Sequence, residues 1–121
     1  MDDHDLLLAC LCAGWCTTCD AYRATLATLA GQRPGLRLAW IDIEEHSDAL
    51  GEGALDIETF PTLLLLQAGR PRFYGPVLPH LSAVQRLLQA LADDALAPGS
   101  PVPAGMAQAV LALAPQQPLP D

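Results

Sequence analysis

The sequence predicts an α/β fold: a mixed four-stranded sheet in the order β-α-β-(α)-β-β-α, with helices on both faces. Three observations carry that expectation. An apolar run, Leu6 to Cys12, precedes a helix-favouring run and a second apolar run. A strand–helix–strand succession of this kind needs a crossover, so its two strands are parallel. Near the end, two further apolar runs flank Ala68-Gly69-Arg70-Pro71 and read as a hairpin, whose strands are antiparallel. Sheet layers built this way bury both faces under helices.

Each element has its own reason. Leu6 to Cys12 is continuously apolar, as in a strand buried on both sides. Thr17 to Leu29 reads as a helix with Leu26 and Leu29 inward, ended by Gly31 and Pro34. Leu36 to Ile43 is a second strand. Ser47 to Leu50 starts a short helix that Ser47 is suited to cap. Thr62 to Gln67 is a third strand, and Arg72 to Tyr74 begins a fourth. Pro79 to Ala95 is an amphipathic helix with Leu81, Val84, Leu87, Leu88 and Leu91 on one face. From Pro98 prolines recur, at 101, 103, 115, 118 and 120. We therefore divide the chain into a domain over 1–97 and a proline-rich extension over 98–121, with a short helix expected within 104–114.

Composition narrows the function. The chain has 121 residues, enough for one domain with a real core. Its net charge is −8 and its six basic residues, all arginine, are scattered, which speaks against nucleic acid or anionic membrane as a partner. No apolar stretch reaches the roughly 20 residues of a membrane span. The acidic start, Met1-Asp2-Asp3-His4-Asp5, lacks the basic region of a secretory signal, so a cytoplasmic location is expected. His4, His46 and His80 are dispersed and read as surface residues. Trp40 reads as a core or edge contact, and the acidic positions Glu44, Glu45 and 48–58 as a solvated face.

The four cysteines crowd between positions 10 and 19. A structural disulfide framework spreads its cysteines to staple distant loops; crowding favours redox or metal chemistry. Cys16 and Cys19, three apart where a strand hands over to a helix, can close a small disulfide ring and reopen it. Cys16 falls at the helix N-terminus, where unsatisfied N–H groups and the helix dipole favour a thiolate. It is the expected attacking sulfur, and Cys19, a turn later, the resolving one. Asp20 opposes the thiolate and Arg23 partly compensates. Cys10 and Cys12 share one strand face and read as small buried hydrophobes; the alternative places Cys10 near Cys19 as a modulator of the exchange. A zinc site from all four has the right ligand count, but a strand face and a helix start rarely converge tetrahedrally, and a cluster shared between two chains is equally poorly supported. Neither metal nor organic cofactor is expected.

Trp15-Cys16-Thr17-Thr18-Cys19, Phe60-Pro61-Thr62 before the third strand and Gly75 after the fourth are similar to motifs of the thioredoxin family, over roughly residues 5–96. The resemblance implies that Pro61 is a cis-proline facing the cysteine pair and that Thr59 and Phe60 offer backbone to an extended substrate. It further implies that Trp15 flanks the site and Gly75 leaves room for the peptide. The implied activity is thiol–disulfide exchange on protein disulfides, with electrons from a partner reductase or a dithiol. The chain departs from the family pattern in lacking the usual first strand and helix. The family's buried acid falls at Cys10, its lysine at Trp40 and its helix-kinking proline at Ala24, while Glu58 adds charge beside the site. These departures keep two alternatives open: a thioredoxin-fold binding or chaperone module, and a redox sensor with little turnover. The missing strand leaves one sheet edge open. Either Val102 to Leu113 docks over the vacated region, or the extension is a frayed tail, or a homodimer pairs through that edge.

Overall fold

The computed structural model describes residues 6–13, 17–51, 57 and 60–116. Gly14, Trp15, Cys16, Glu58, Thr59 and His4 lie outside the described residues.

Strand β1 (Leu6–Cys12) is buried along its whole length. It lies inside the sheet because both its edges are paired. On one side β2 (Arg37–Asp42) runs parallel, from Leu7 opposite Arg37 to Cys12 opposite Asp42. On the other side β3 (Thr62–Gln67) runs antiparallel, from Leu6 opposite Gln67 to Leu11 opposite Thr62. Strand β4 (Arg70–Pro76) closes the hairpin, giving the order β2-β1-β3-β4. The hairpin turns on Ala68 and Gly69, both with positive φ (51° and 79°), the backbone that a two-residue turn requires. The fourth strand thus starts at Arg70, two residues earlier than the sequence suggests, and its Pro71 sits on an edge strand, where a missing N–H is tolerated.

Side chains alternate across β1 and β3, and two cores result. Leu6, Leu8, Cys10, Cys12, Leu63 and Leu65 face one layer. That layer is α1 (Thr17–Gln32), through Cys19, Tyr22, Leu26 and Leu29, and α3 (Leu81–Ala92), through Val84, Leu87, Leu88 and Leu91. Leu81 packs at the border of this core rather than within it. Helix α1 runs through Gly31 to Gln32, and Pro34 rather than the glycine marks its limit.

Leu7, Ala9, Leu11, Leu64 and Leu66 face the second layer, with Ile41, Ile43 and Leu50 of the short helix α2 (Ser47–Leu50). Ser47 is not its cap: His46 precedes the helix without a side-chain capping bond. Asp42 shapes the entry instead, its Oδ1 accepting from the Glu44 and Glu45 backbone N–H groups at 2.9 and 3.2 Å. His46, read from sequence as a surface residue, is half-buried with Nε2 shielded from solvent.

The extension covers this second face. Helix α4 (Met106–Leu113) buries Met106 and Val110 completely, one turn apart, against the sheet. A 3₁₀ turn, Ala114–Gln116, follows and packs against β2. The docking therefore caps a sheet face rather than adding to the β2 edge, which carries no second strand among the described residues. The linker is stitched to the opposite edge. Tyr74 N–H donates to Pro98 O at 3.0 Å, and Ser100 N–H donates to Tyr74 O at 2.7 Å. Gly99 sits between them at φ +77°, where a Cβ would stand 2.3 Å from Tyr74 O.

Three substitutions test these contacts through stability. Met106→Ala should cost about 2–5 kcal/mol in urea unfolding, as expected for a fully buried methionine; a cost near zero would mean that α4 is not held on the sheet. Gly99→Ala should lower the unfolding midpoint clearly, because it adds a clash to a left-handed backbone. Ser100→Ala, at the same site but keeping the backbone bond, should change the midpoint little.

Candidate active site

The chemistry gathers where β1 ends and α1 begins. Cys12 is the last residue of β1, and Cys19 lies in the first turn of α1. Both are about 1 % exposed, and their sulfurs are joined in a disulfide with Cα atoms 5.9 Å apart, inside the usual range for such bridges. The sequence pairs Cys19 with Cys16. In the structure the Cys19 sulfur is bonded to Cys12, seven residues back, and Cys16 lies outside the described residues.

Cys10 is on the same face of β1, fully buried, with Sγ 3.2 Å from Cys12 Sγ. Because Cys12 carries no proton in the disulfide, the Cys10 S–H is the donor of this contact. Tyr22 completes the pocket from α1, one turn beyond Cys19 on the same buried face. Its hydroxyl is buried and has no hydrogen-bond partner among the described residues. Burial pushes its pKa well above the ordinary 10, and negative charge on Cys10 pushes in the same direction.

On the adjoining strand, the Phe60-Pro61 peptide bond is cis. Sheet register brings Pro61 to this end of β1, because Thr62 pairs with Leu11, one residue before Cys12. Pro61 O accepts from Val77 N–H at 3.1 Å. Phe60 is half-buried and packs against both cores. Gly75 pairs with Leu63, and the position its Cβ would occupy is 3.7 Å from Phe73 Cζ and 3.8 Å from Ser100 Oγ, so the extension runs beside it. Leu78 follows shortly after and is 68 % exposed, the large hydrophobe that the described surface leaves uncovered. On the outer side of α1, Arg23 pairs with Asp20 at 3.0 Å and lies over the Trp40 ring, 5.5 Å from its centroid. This exposed charge pair largely cancels, and exposed pairs contribute little.

Two members of the site were not singled out from sequence. Cys12 reads from sequence as a core residue, although its place at the strand's end, on the Cys10 face and before the helix, is the available signal. Tyr22 shares the 19-22-26-29 spacing of the inner face of α1, and that spacing puts it on the same buried face as Cys19.

Residues 1–78 match the family model for thioredoxin. The chain belongs to the thioredoxin family. Solved thioredoxins share its fold. The oxidised thioredoxin of Plasmodium falciparum superposes with a TM-score of 0.60 at 18% identity, covering 73% of this chain and 82% of that one. The thioredoxin of Fasciola hepatica gives 0.61 at 16% identity, covering 72% and 81%. A mutant thioredoxin from Halobacterium salinarum gives 0.61 at 28% identity, covering 74% and 76%. No curated protein matches the chain. In this chain the disulfide runs from helix to strand, and the Cys10 thiol lies against it.

The partnerless hydroxyl can be tested directly. Tyr22→Phe should raise stability by about 1 kcal/mol, since an unsatisfied buried polar group is a cost. The wild-type pKa is raised in the folded state, so above pH about 10 the unfolded chain loses this proton first and stability falls. Urea midpoints measured from pH 8 to 11 should show that fall in wild type and a shallower one in Tyr22→Phe. A destabilised variant with an unchanged alkaline limb would contradict the assignment.

Proposed function

We propose that this thioredoxin-family protein is a thiol–disulfide oxidoreductase acting on protein disulfides through Cys16 and Cys19. The observation that supports it most is the Cys19 sulfur itself: it sits in the first turn of α1, already engaged in a disulfide, at the end of the sheet where Pro61 lies. Family membership supports the same chemistry.

In the proposed cycle the Cys16 thiolate attacks one sulfur of the substrate disulfide. A Cys16–substrate mixed disulfide forms and one substrate thiolate leaves. The Cys19 thiolate then attacks Cys16 Sγ, a Cys16–Cys19 disulfide forms, and the second substrate thiolate leaves. Two electrons pass from the protein to the substrate, and a reductase or dithiol restores them. Trp15, Thr59, Phe60, Pro61 and Gly75 are the proposed substrate contacts, and exposed Leu78 extends that surface with an apolar side chain. Backbone at 59–60 would recognise an extended peptide by strand-like pairing. A cytoplasmic setting, where thiol pools supply electrons, fits this direction of flow.

The second reading is a binding module or redox sensor with little turnover. It is favoured by one observation: with Cys12 bound to it, Cys19 has no thiol with which to resolve a mixed disulfide.

Insulin reduction with dithiothreitol as donor, followed as turbidity, separates the two. Wild type should accelerate precipitation well beyond dithiothreitol alone, and Cys16→Ser should fall back to that background. Equal activity in Cys16→Ser, or no acceleration by wild type, would contradict the oxidoreductase reading. Retained capture of a substrate without turnover would support the module.

A further inference from the structure

We propose that Cys12 is a second, alternative partner for Cys19, and that the Cys12–Cys19 disulfide is a latch that turns a two-cysteine oxidoreductase into a one-thiol form. The inference rests on the reading of Cys16 as the attacking sulfur. Its structural basis is a buried cluster of three sulfurs, those of Cys10, Cys12 and Cys19, held by two adjacent elements.

Valence sets the first consequence. One sulfur forms one disulfide, so a chain with Cys19 bonded to Cys12 keeps Cys16 as a thiol and has no resolving thiol. Such a chain can still attack a substrate disulfide, but the mixed disulfide at Cys16 persists. Catalysis then gives way to covalent retention of the substrate.

Burial sets the second. Cys12 and Cys19 are each about 1 % exposed, so a reductant in solution has no direct path to this bond. Exchange proceeds within the chain. The Cys12 thiolate attacks Cys19 Sγ of a Cys16–Cys19 disulfide, the Cys12–Cys19 bond forms, and Cys16 leaves as a thiolate that takes up the proton Cys12 gave up. Nothing is oxidised or reduced overall, so the step needs no co-reactant. The reverse step, attack of Cys16 on Cys19 Sγ, opens the latch and expels Cys12.

Cys10 is a positioning residue for that exchange. Its S–H donates to Cys12 Sγ at 3.2 Å and stays in place to stabilise Cys12 when it departs as a thiolate. The Tyr22 hydroxyl, buried and with no hydrogen-bond partner among the described residues, belongs to the same core as the three cysteines.

The sequence offers a clean assay. Chymotrypsin cuts after Leu11, Trp15 and Tyr22, which separates Cys12 on residues 12–15 from Cys16 and Cys19 on residues 16–22. The full chain is oxidised with trans-4,5-dihydroxy-1,2-dithiane, quenched in acid, alkylated with N-ethylmaleimide in denaturant, digested and weighed. The latch predicts a linked 12–15/16–22 pair with one maleimide, on Cys16, in at least about a tenth of oxidised chains. It also predicts that native oxidised protein releases about one 2-nitro-5-thiobenzoate per latched chain from 5,5′-dithiobis(2-nitrobenzoic acid) and retains the other half as an adduct. Cys12→Ser, with Cys12→Ala as a second variant in case the serine disturbs folding, should lose both signals while keeping the internal Cys16–Cys19 loop. Cys10→Ala should change the ratio of the two disulfides about two- to tenfold, the range expected for one hydrogen bond; an unchanged ratio would remove Cys10 from the proposal. Fully alkylated Cys12 in oxidised wild type overturns the latch. If Cys16→Ser abolishes insulin reduction and no linked pair forms, the latch alone fails. If Cys16→Ser remains fully active, the latch and the oxidoreductase reading fail together.

Discussion

The two-sided burial of β1 is the constraint from which the rest follows. A strand paired on both edges and covered on both faces has no rotational freedom, and its period-two alternation commits every side chain to one core or the other. That alternation sends Cys10 and Cys12 to the α1 side and Leu7, Ala9 and Leu11 to the α4 side. A one-residue slip would carry both thiols away from Cys19. The sulfur cluster therefore depends on strand register as much as on the spacing of cysteines.

The same constraint explains the extension. Leu7, Ala9, Leu11, Leu64 and Leu66 form an apolar face that α2, with a single turn, is too short to cover. Helix α4 supplies the missing cover, and the Tyr74–Gly99 backbone bridge guides the chain back across the sheet. A helix of eight residues is marginal alone. Met106 and Val110 hold it here through tertiary burial. Because the linker passes beside Gly75 and Phe73, the element that closes the fold also borders the proposed substrate side.

Much of this was legible in the sequence for identifiable reasons. Continuous apolar runs declared β1 and β3, and the strand–helix–strand succession gave the parallel pair. The Leu81 to Leu91 periodicity located α3 to within a few residues at each end. Capping was less legible: Asp42, not Ser47, shapes the approach to α2, its side chain accepting from the Glu44 and Glu45 N–H groups of the preceding turn. Gly31 did not stop α1, since glycine weakens a helix by roughly 1 kcal/mol without forbidding it. At the site, Cys19 and Pro61 were singled out from motifs, whereas the Cys12 partnership was hidden. Local spacing favours the short ring from Cys16 to Cys19. Only the approach of a strand end to a helix start reveals a competing partner.

In the proposed chemistry the Cys19 sulfur exchanges while the fold stays intact. Equilibrating the native protein across a series of glutathione redox buffers, with thiols counted by mass after acid quench, tests it directly. One reversible two-electron transition per chain is expected, reached equally from the oxidised and reduced sides, with far-ultraviolet dichroism unchanged throughout. A disulfide at Cys19 that stays closed over the whole range, and opens only when denaturant unfolds the chain, would mark the bond as a structural staple and rule out exchange in the native fold.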